Sequence, residues 1–275
     1  MLVLSTAWYK IKSKYNFDQY YLWLDNFLNN VNNFYLVVYT NFESKDILIK
    51  YENNKKIKFV ILDFNQFYNY KYKNYWIENH NILSEKNIKV SNDLYQNKIS
   101  WELNMLWSEK ISLVKRTFFE NHFNGEWYGW CDIGYFRNRS NDLSNEQLIN
   151  WPSNQKLLNL NVNKIYYAKI NESQSKLNIF KELILNIDRS NFFPDLLINQ
   201  HSFAGGFFLI HRDKIDWWHR IYDNTLKDYF KKGYPVKDDQ IIILTSILKN
   251  PEHFTSIIES DPKYDKWFVF QRFLI

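Results

Sequence analysis

The chain has 275 residues, a formal charge of +5 and one cysteine, Cys131. That length suits one large domain or two small ones and buries a core without a disulfide or metal staple. A lone cysteine excludes an intramolecular disulfide, and no stretch reaches the roughly 18 apolar residues of a membrane span.

The start Met1–Trp8 lacks the basic region of a secretory signal, so a cytoplasmic protein is expected. The excess charge is scattered, which speaks against nucleic acid as a partner. Aromatic residues make up 19% of the chain; most are expected to pack the core, with sugar stacking as the other use.

Apolar runs alternate with helical patterns. Leu2 to Ala7 reads as a first strand, and Phe17 to Phe27 carries Tyr20, Tyr21, Leu24 and Phe27 at helical spacing. Phe34 to Tyr39 and Ile57 to Phe64 read as strands, rich in β-branched and aromatic residues. The Asn/Lys-rich stretches Lys50 to Lys58 and Tyr68 to Asn74 read as loops or helix ends. Ser100 to His122 places Leu103, Leu106, Trp107, Ile111, Val114 and Phe118 on one face of a long helix, and strand Trp127 to Cys131 follows. Further on, Lys164 to Ile170 predicts a strand, Leu177 to Ile187 a helix and Phe207 to His211 a strand. Asp213 to Lys232 and Asp238 to Leu248 predict helices, and Phe254 to Ile258 and Trp267 to Phe273 two closing strands. Strands alternating with helices predict an α/β sheet, mostly parallel in the first half.

The most informative stretch is Trp127-Tyr-Gly-Trp-Cys-Asp-Ile-Gly134. An apolar strand stops on one acid, Asp132, where open α/β sheets hold their ligands. Asp132 either holds a divalent cation against a diphosphate or caps its own turn. Cys131, its strand neighbour, should face the other side of the sheet as a buried hydrophobe. Glycine is scarce, with 6 in the chain, yet Gly205-Gly206 open a predicted strand, where they form a bulge or admit a ligand close to the backbone. Asp238-Asp239-Gln240 begin a helix; one carboxylate caps it or points into a cleft as a base. Lys110, Lys115 and Arg116 could neutralise phosphates from the helix before Asp132, and His201 and His253 are possible ligands. There is no Gly-x-Gly-x-x-Gly, P-loop, Gly-x-Ser-x-Gly or Cys-x-x-Cys, which removes support for dinucleotide redox enzymes, P-loop phosphoryl transferases and α/β serine hydrolases.

In this order the motifs resemble the HtrL/YibB (WlaTC) family. The matching segments are Ser5-Thr-Ala-Trp-Tyr9, Tyr21-Leu-Trp-Leu24, Leu36-Val-Val-Tyr-Thr-Asn41, Leu106-Trp-Ser-Glu-Lys110, Trp130-Cys-Asp-Ile-Gly134, Ala204-Gly-Gly-Phe-Phe208 and Asp238-Asp-Gln240. That family looks like the nucleotide-sugar-dependent glycosyltransferases of GT-A fold.

The resemblance implies a GT-A-like α/β single domain with a mixed, mostly parallel sheet flanked by helices. Residues 1–134 would be its nucleotide-sugar-binding half and 135–275 its acceptor-binding half. The donor would be a UDP- or GDP-sugar, and the acceptor a glycan, glycoprotein or lipid-linked molecule. Base and ribose would lie near Thr6, Ala7 and Tyr39, with Lys110, Gly205, Gly206 and Gln240 also on the donor. Asp132 would hold Mn2+ or Mg2+, with His253 as the nearest second ligand, and Asp239 would face the anomeric carbon or the acceptor hydroxyl. In the GT-A glycosyltransferases an Asp-x-Asp motif ends a central strand; here Trp130 and Gly134 occupy the places two residues from Asp132. A catalytically inactive carbohydrate-binding protein on the same fold is the alternative.

Overall fold

A computed structural model describes residues 1–90, 93–95, 99–171, 173–190 and 193–275. Seven strands form one sheet: β1 (Leu2–Ala7), β2 (Tyr35–Thr40), β3 (Ile57–Ile61), β4 (Trp127–Cys131), β5 (Ile165–Lys169), β6 (Phe203–His211) and β7 (Phe254–Ile257). Their order is β3-β2-β1-β4-β6-β5-β7. The run β3-β2-β1-β4 is parallel. β6 lies antiparallel between β4 and β5, and β7 is parallel to β5. All residues of β1 and β4 are buried, which explains their nearly unbroken apolar sequence: a central strand is covered on both faces.

Helices that pack on the sheet are α1 (Phe17–Leu28), α2 (Lys73–Glu85), α3 (Trp101–Glu120), α4 (Gln174–Ser190), α5 (Ile215–Lys231), α6 (Asp239–Lys249) and α7 (Val269–Phe273); short helical turns lie at Asn145–Leu148, Asn154–Leu158 and Asp195–Ile198. Strand alternation sorts the core into two layers. Val3, Ala7, Tyr128 and Trp130 face residues of α2, α3, α4, α5 and α6. Leu2, Leu4, Trp127 and Cys131 face α1 and α7. Among the described residues, no helix is long and apolar enough to cross a membrane.

Three expectations need correction. Trp267 to Phe273 is not a strand: a 3-10 turn, Lys266–Phe268, runs into α7. Phe270 and Leu274, four apart and fully buried, carry the helical spacing that the aromatic composition conceals. The strand expected from Phe207 begins at Phe203, so the glycine pair lies inside it; the pairing jumps from Tyr167 opposite Phe208 to Lys169 opposite Phe203, which places the extra residues of this irregularity, Gly205 and Gly206 among them, on β6. No helix is expected over residues 75–85, yet α2 runs from Lys73 to Glu85; Tyr68 to Asn74 is its helix end, one of the two forms expected there, with a 3-10 turn, Tyr68–Tyr72, leading in.

The chain leaves β1 toward β2 and β3 on one side and returns to place β4 on the other. The gap between the carboxyl ends of β1 and β4 is therefore a topological switch point, the usual ligand position in such sheets.

Candidate functional site

At that point lies a cavity of about 650 Å³. Three stretches build it: the loop after β1 (Trp8 to Tyr15), the turn after β4 (Asp132 to Arg137) and the start of α6. Because β6 runs antiparallel to β4, its amino end and the Gly205-Gly206 pair arrive beside Asp132, whose N–H donates to the Gly206 carbonyl at 2.8 Å.

Lys110 of α3 is the centre of the site. Its ammonium lies 3.2 Å from Asp132 Oδ1 and 3.0 Å from Asp239 Oδ2, and donates to the Gly205 carbonyl at 2.8 Å. An ammonium has three N–H donors, and all three are thus committed. Burial alone would push the Lys110 pKa down, but Asp132 and Asp239 outweigh it and the net shift is upward. The residue stays a cation.

Asp132 is also gripped by its neighbour but one: the Trp130 indole N–H donates to Oδ1 at 2.5 Å. Trp130, standing where a second acid is expected, is a donor to the remaining one. The Asp132 side chain is 41% exposed. Its Oδ2 has no hydrogen bond or ion pair among the described residues.

The two acids of α6 divide the roles foreseen for them. Asp238 caps the helix, accepting from Gln240 N at 3.1 Å. Asp239 turns into the cavity and is nearly sealed. Burial raises its pKa to about 6, with Lys110 opposing and Asp238 and Asp132 reinforcing. A Cβ on Gly205 would fall 2.2 Å from Asp239 Oδ2. The glycine is what allows the carboxylate to lie against the strand.

Ala7, Lys110, Asp132, Gly205, Gly206, Asp239 and Gln240 all line this cavity. Thr6, Tyr39 and His253 do not. Thr6 is fully buried in β1, with no hydrogen-bond partner for Oγ1 among the described residues. The Tyr39 hydroxyl is committed under α3, to Thr117 Oγ1 at 2.9 Å and the Leu113 carbonyl at 3.3 Å. His253 precedes β7, whose amino end is at the opposite edge of the sheet; its ring packs on Trp217 at 4.2 Å. Lys115 and Arg116 are paired to Asp216 and Glu120 outside the cavity. Cys131 faces the other layer as expected, its thiol pKa raised by burial and then by Asp132.

His201 lines the cavity with Nδ1 3.5 Å from Gln240 Oε1. Sequence reasoning missed Lys14, Tyr15, Trp23, Arg137, Lys237 and Trp267 as lining residues. For Tyr15 and Arg137 a signal existed: each follows the carboxyl end of a parallel strand, where ligand loops are found.

The oxygen chemistry admits a divalent cation in one way only. A metal shared by Asp132 and Asp239 does not fit, because the Lys110 ammonium already lies within 3.2 Å of both carboxylates. A cation held by Oδ2 of Asp132, with its other ligands from a diphosphate and water, does fit, since magnesium is commonly bound by one or two carboxylates plus substrate phosphates. Among the described residues no three His, Cys, Asp or Glu side chains converge on a metal position. No protein-family model matches the chain, and no curated protein matches it.

Proposed function

We propose that the chain is a GT-A-type glycosyltransferase, as its resemblance to the HtrL/YibB family implies. It moves a sugar from a UDP- or GDP-sugar to a hydroxyl of a glycan, glycoprotein or lipid-linked acceptor. The observation that carries this reading is the Asp132–Lys110–Asp239 constellation, held in a 650 Å³ cavity at the switch point of the sheet.

Asp239 is the base. With a pKa of about 6 it is ionised at neutral pH yet basic enough to accept a proton. It takes the acceptor hydroxyl's proton as that oxygen bonds to the anomeric carbon. The bond from that carbon to the diphosphate oxygen breaks, and the diphosphate leaves with the electron pair. Lys110 positions both carboxylates and favours the ionised form of Asp239. Asp132 offers Oδ2 to a divalent cation, which when bound supplies Lewis-acid stabilisation to the leaving diphosphate. Lys110 is a positioning residue, since its three donors are taken by the protein.

UDP or GDP with manganese should raise the melting temperature, by an amount that corresponds to about 2.7 kcal/mol at a hundredfold excess over Kd. Asp132→Asn keeps an acceptor for the Trp130 indole but removes the charge, and should abolish the shift. Absence of any shift with either nucleotide would overturn the reading.

The replacement of the expected second acid by Trp130 favours one other reading, a carbohydrate-binding protein without catalysis. Metal-dependent hydrolysis of sugar nucleotides separates the two: only a transferase supports it.

A further inference from the structure

Every carboxylate lining the cavity is partnered. Asp132 and Asp239 share Lys110, Asp238 caps α6, and Asp265 is held by Arg139 at 3.0 Å. The cations are not all so engaged. Lys110 is saturated, but Arg137, on the turn that follows Asp132, pairs with no carboxylate among the described residues.

Its Nε donates to the Gly134 carbonyl at 2.9 Å, which fixes the side chain against its own turn. The guanidinium carbon lies 4.3 Å from the ring centre of Trp23, 5.0 Å from Phe268 and 5.5 Å from Tyr15. Gly134 makes this arrangement possible, since a Cβ there would meet the Trp23 ring at 2.7 Å. A guanidinium has five N–H donors in a planar fork. One is used, and the four on the terminal nitrogens make no hydrogen bond to the described residues. Aromatic rings shield the charge from water without neutralising it, which strengthens its attraction for an anion.

We propose that Arg137 and the rings around it form a second subsite that binds a sugar-like ligand through a negatively charged group, a carboxylate or a phosphate. If the chain is a glycosyltransferase, as argued above, this ligand is the acceptor. Tyr15, the exposed ring of the three, offers a flat apolar face for a sugar, Trp23 and Phe268 back the guanidinium, and the fork matches both anions bidentately. The subsite is distinct from that of the donor. Arg137 stands on the side of the sheet that carries α1 and the 3-10 turn before α7, whereas Lys110 and Asp239 come from α3 and α6 on the other side. That other side has its own cation, Lys14, which lines the cavity with its ammonium 4.7 Å above Trp107 of α3 and has no ion pair among the described residues.

The test is calorimetric titration of the full chain with glucose, glucose 6-phosphate and glucuronic acid, and separately with UDP and GDP. The wild type should bind at least one of the two anionic sugars ten-fold or more tighter than glucose, and the preferred one identifies the anion. Arg137→Met should erase that preference and leave nucleotide affinity within about three-fold. Arg137→Lys, which keeps the charge but loses the fork, should retain part of it and guards against misfolding of the first variant. Equal binding of the three sugars by the wild type would overturn the proposal. So would an intact preference in Arg137→Met, or a ten-fold loss of nucleotide affinity, which would assign Arg137 to the donor. Failure of the wild type to bind either nucleotide would sink the glycosyltransferase reading, while a measured anionic preference would leave the subsite standing.

Discussion

The tightest coupling between sequence and site runs through a hydrogen atom. Position 205 has no side chain, and the space that a Cβ would take is filled by the Asp239 carboxylate. Gly205→Ala must therefore displace that carboxylate, together with the Lys110 contact at 3.0 Å. Displacement of a reacting group by about 1 Å costs on the order of 100-fold in rate, so Gly205→Ala should lose roughly that factor in kcat while circular dichroism stays native. Gly206→Ala is the control: its Cβ meets Asp132 Oδ2 at 3.3 Å, a contact that a small shift relieves. Equal losses in the two variants would refute this role of Gly205. Such residues were legible because their chemistry is local: an acid ending an apolar strand, a glycine pair in a glycine-poor chain, two acids opening a helix. The position of Arg137 carried a signal, but the surroundings of Arg137 and Lys14 did not, because they come from Trp23, Phe268 and Trp107, distant in sequence and brought near by folding. Trp130 could be seen as a departure from a motif, but its indole bond to Asp132 exists only in three dimensions.

At the scale of elements, the approach to α6 decides where Asp239 points, and a buried amide network fixes it. Asn79 of α2 closes a two-way bridge to Val236, accepting from its N–H at 2.7 Å and donating to its carbonyl at 2.9 Å. Asn79 also donates to Asn104 Oδ1 at 2.7 Å, and Asn104 donates to the Lys237 carbonyl at 2.7 Å. Two helices thereby hold the backbone just before the Asp238 cap. Asn79→Leu leaves the Val236 N–H and carbonyl buried without partners, at about 1–3 kcal/mol for each. The melting temperature should fall by roughly 4–24 °C, from about 2–6 kcal/mol for the two groups at about 2–4 °C per kcal/mol, and kcat should fall with it. An unchanged melt would mean that water replaces the amide. The central strands and α3 could be read in advance because burial on both faces, or on one stripe, leaves a periodic record. α7 could not: its run of Trp, Phe and Val has strand composition, and its helical fit depends on Gln271, which accepts from Leu143 N and donates to the Tyr135 carbonyl.

For the whole molecule, buried ionisable groups set opposing pH dependences. Glu109 of α3 is sealed beneath the 3-10 turn Tyr68–Tyr72, accepting from the N–H groups of Tyr68 and Asn69 at 2.7 and 2.9 Å. Burial nevertheless raises its pKa from 4.5 to about 8. The folded state therefore binds more protons than the unfolded chain across that window, and stability falls as pH rises through it. Asp239 acts in the same direction between 3.8 and about 6. His219, packed on Tyr68, acts in reverse: burial, then Lys115, lowers its pKa from 6.5 to about 4, so stability is lost as pH falls through that range. From pH 6.5 to 8 Glu109 acts without this opposition, with a limiting slope of about 1.4 kcal/mol per pH unit. Between pH 4.5 and 6 Glu109 and Asp239 together outweigh His219, so the melting temperature should fall from about pH 4.5, level off near pH 6 to 6.5 and fall again toward pH 8. Glu109→Gln, which cannot ionise, should melt lower at pH 6.5 because its NH2 faces one of the two N–H donors, yet lose the decline toward pH 8. An identical slope in the variant would show that Glu109 is already ionised at neutral pH, stabilised by the two backbone donors. Above about pH 6 the base Asp239 is charged, so the proposed chemistry switches on in the range where ionising the buried Glu109 costs the fold stability.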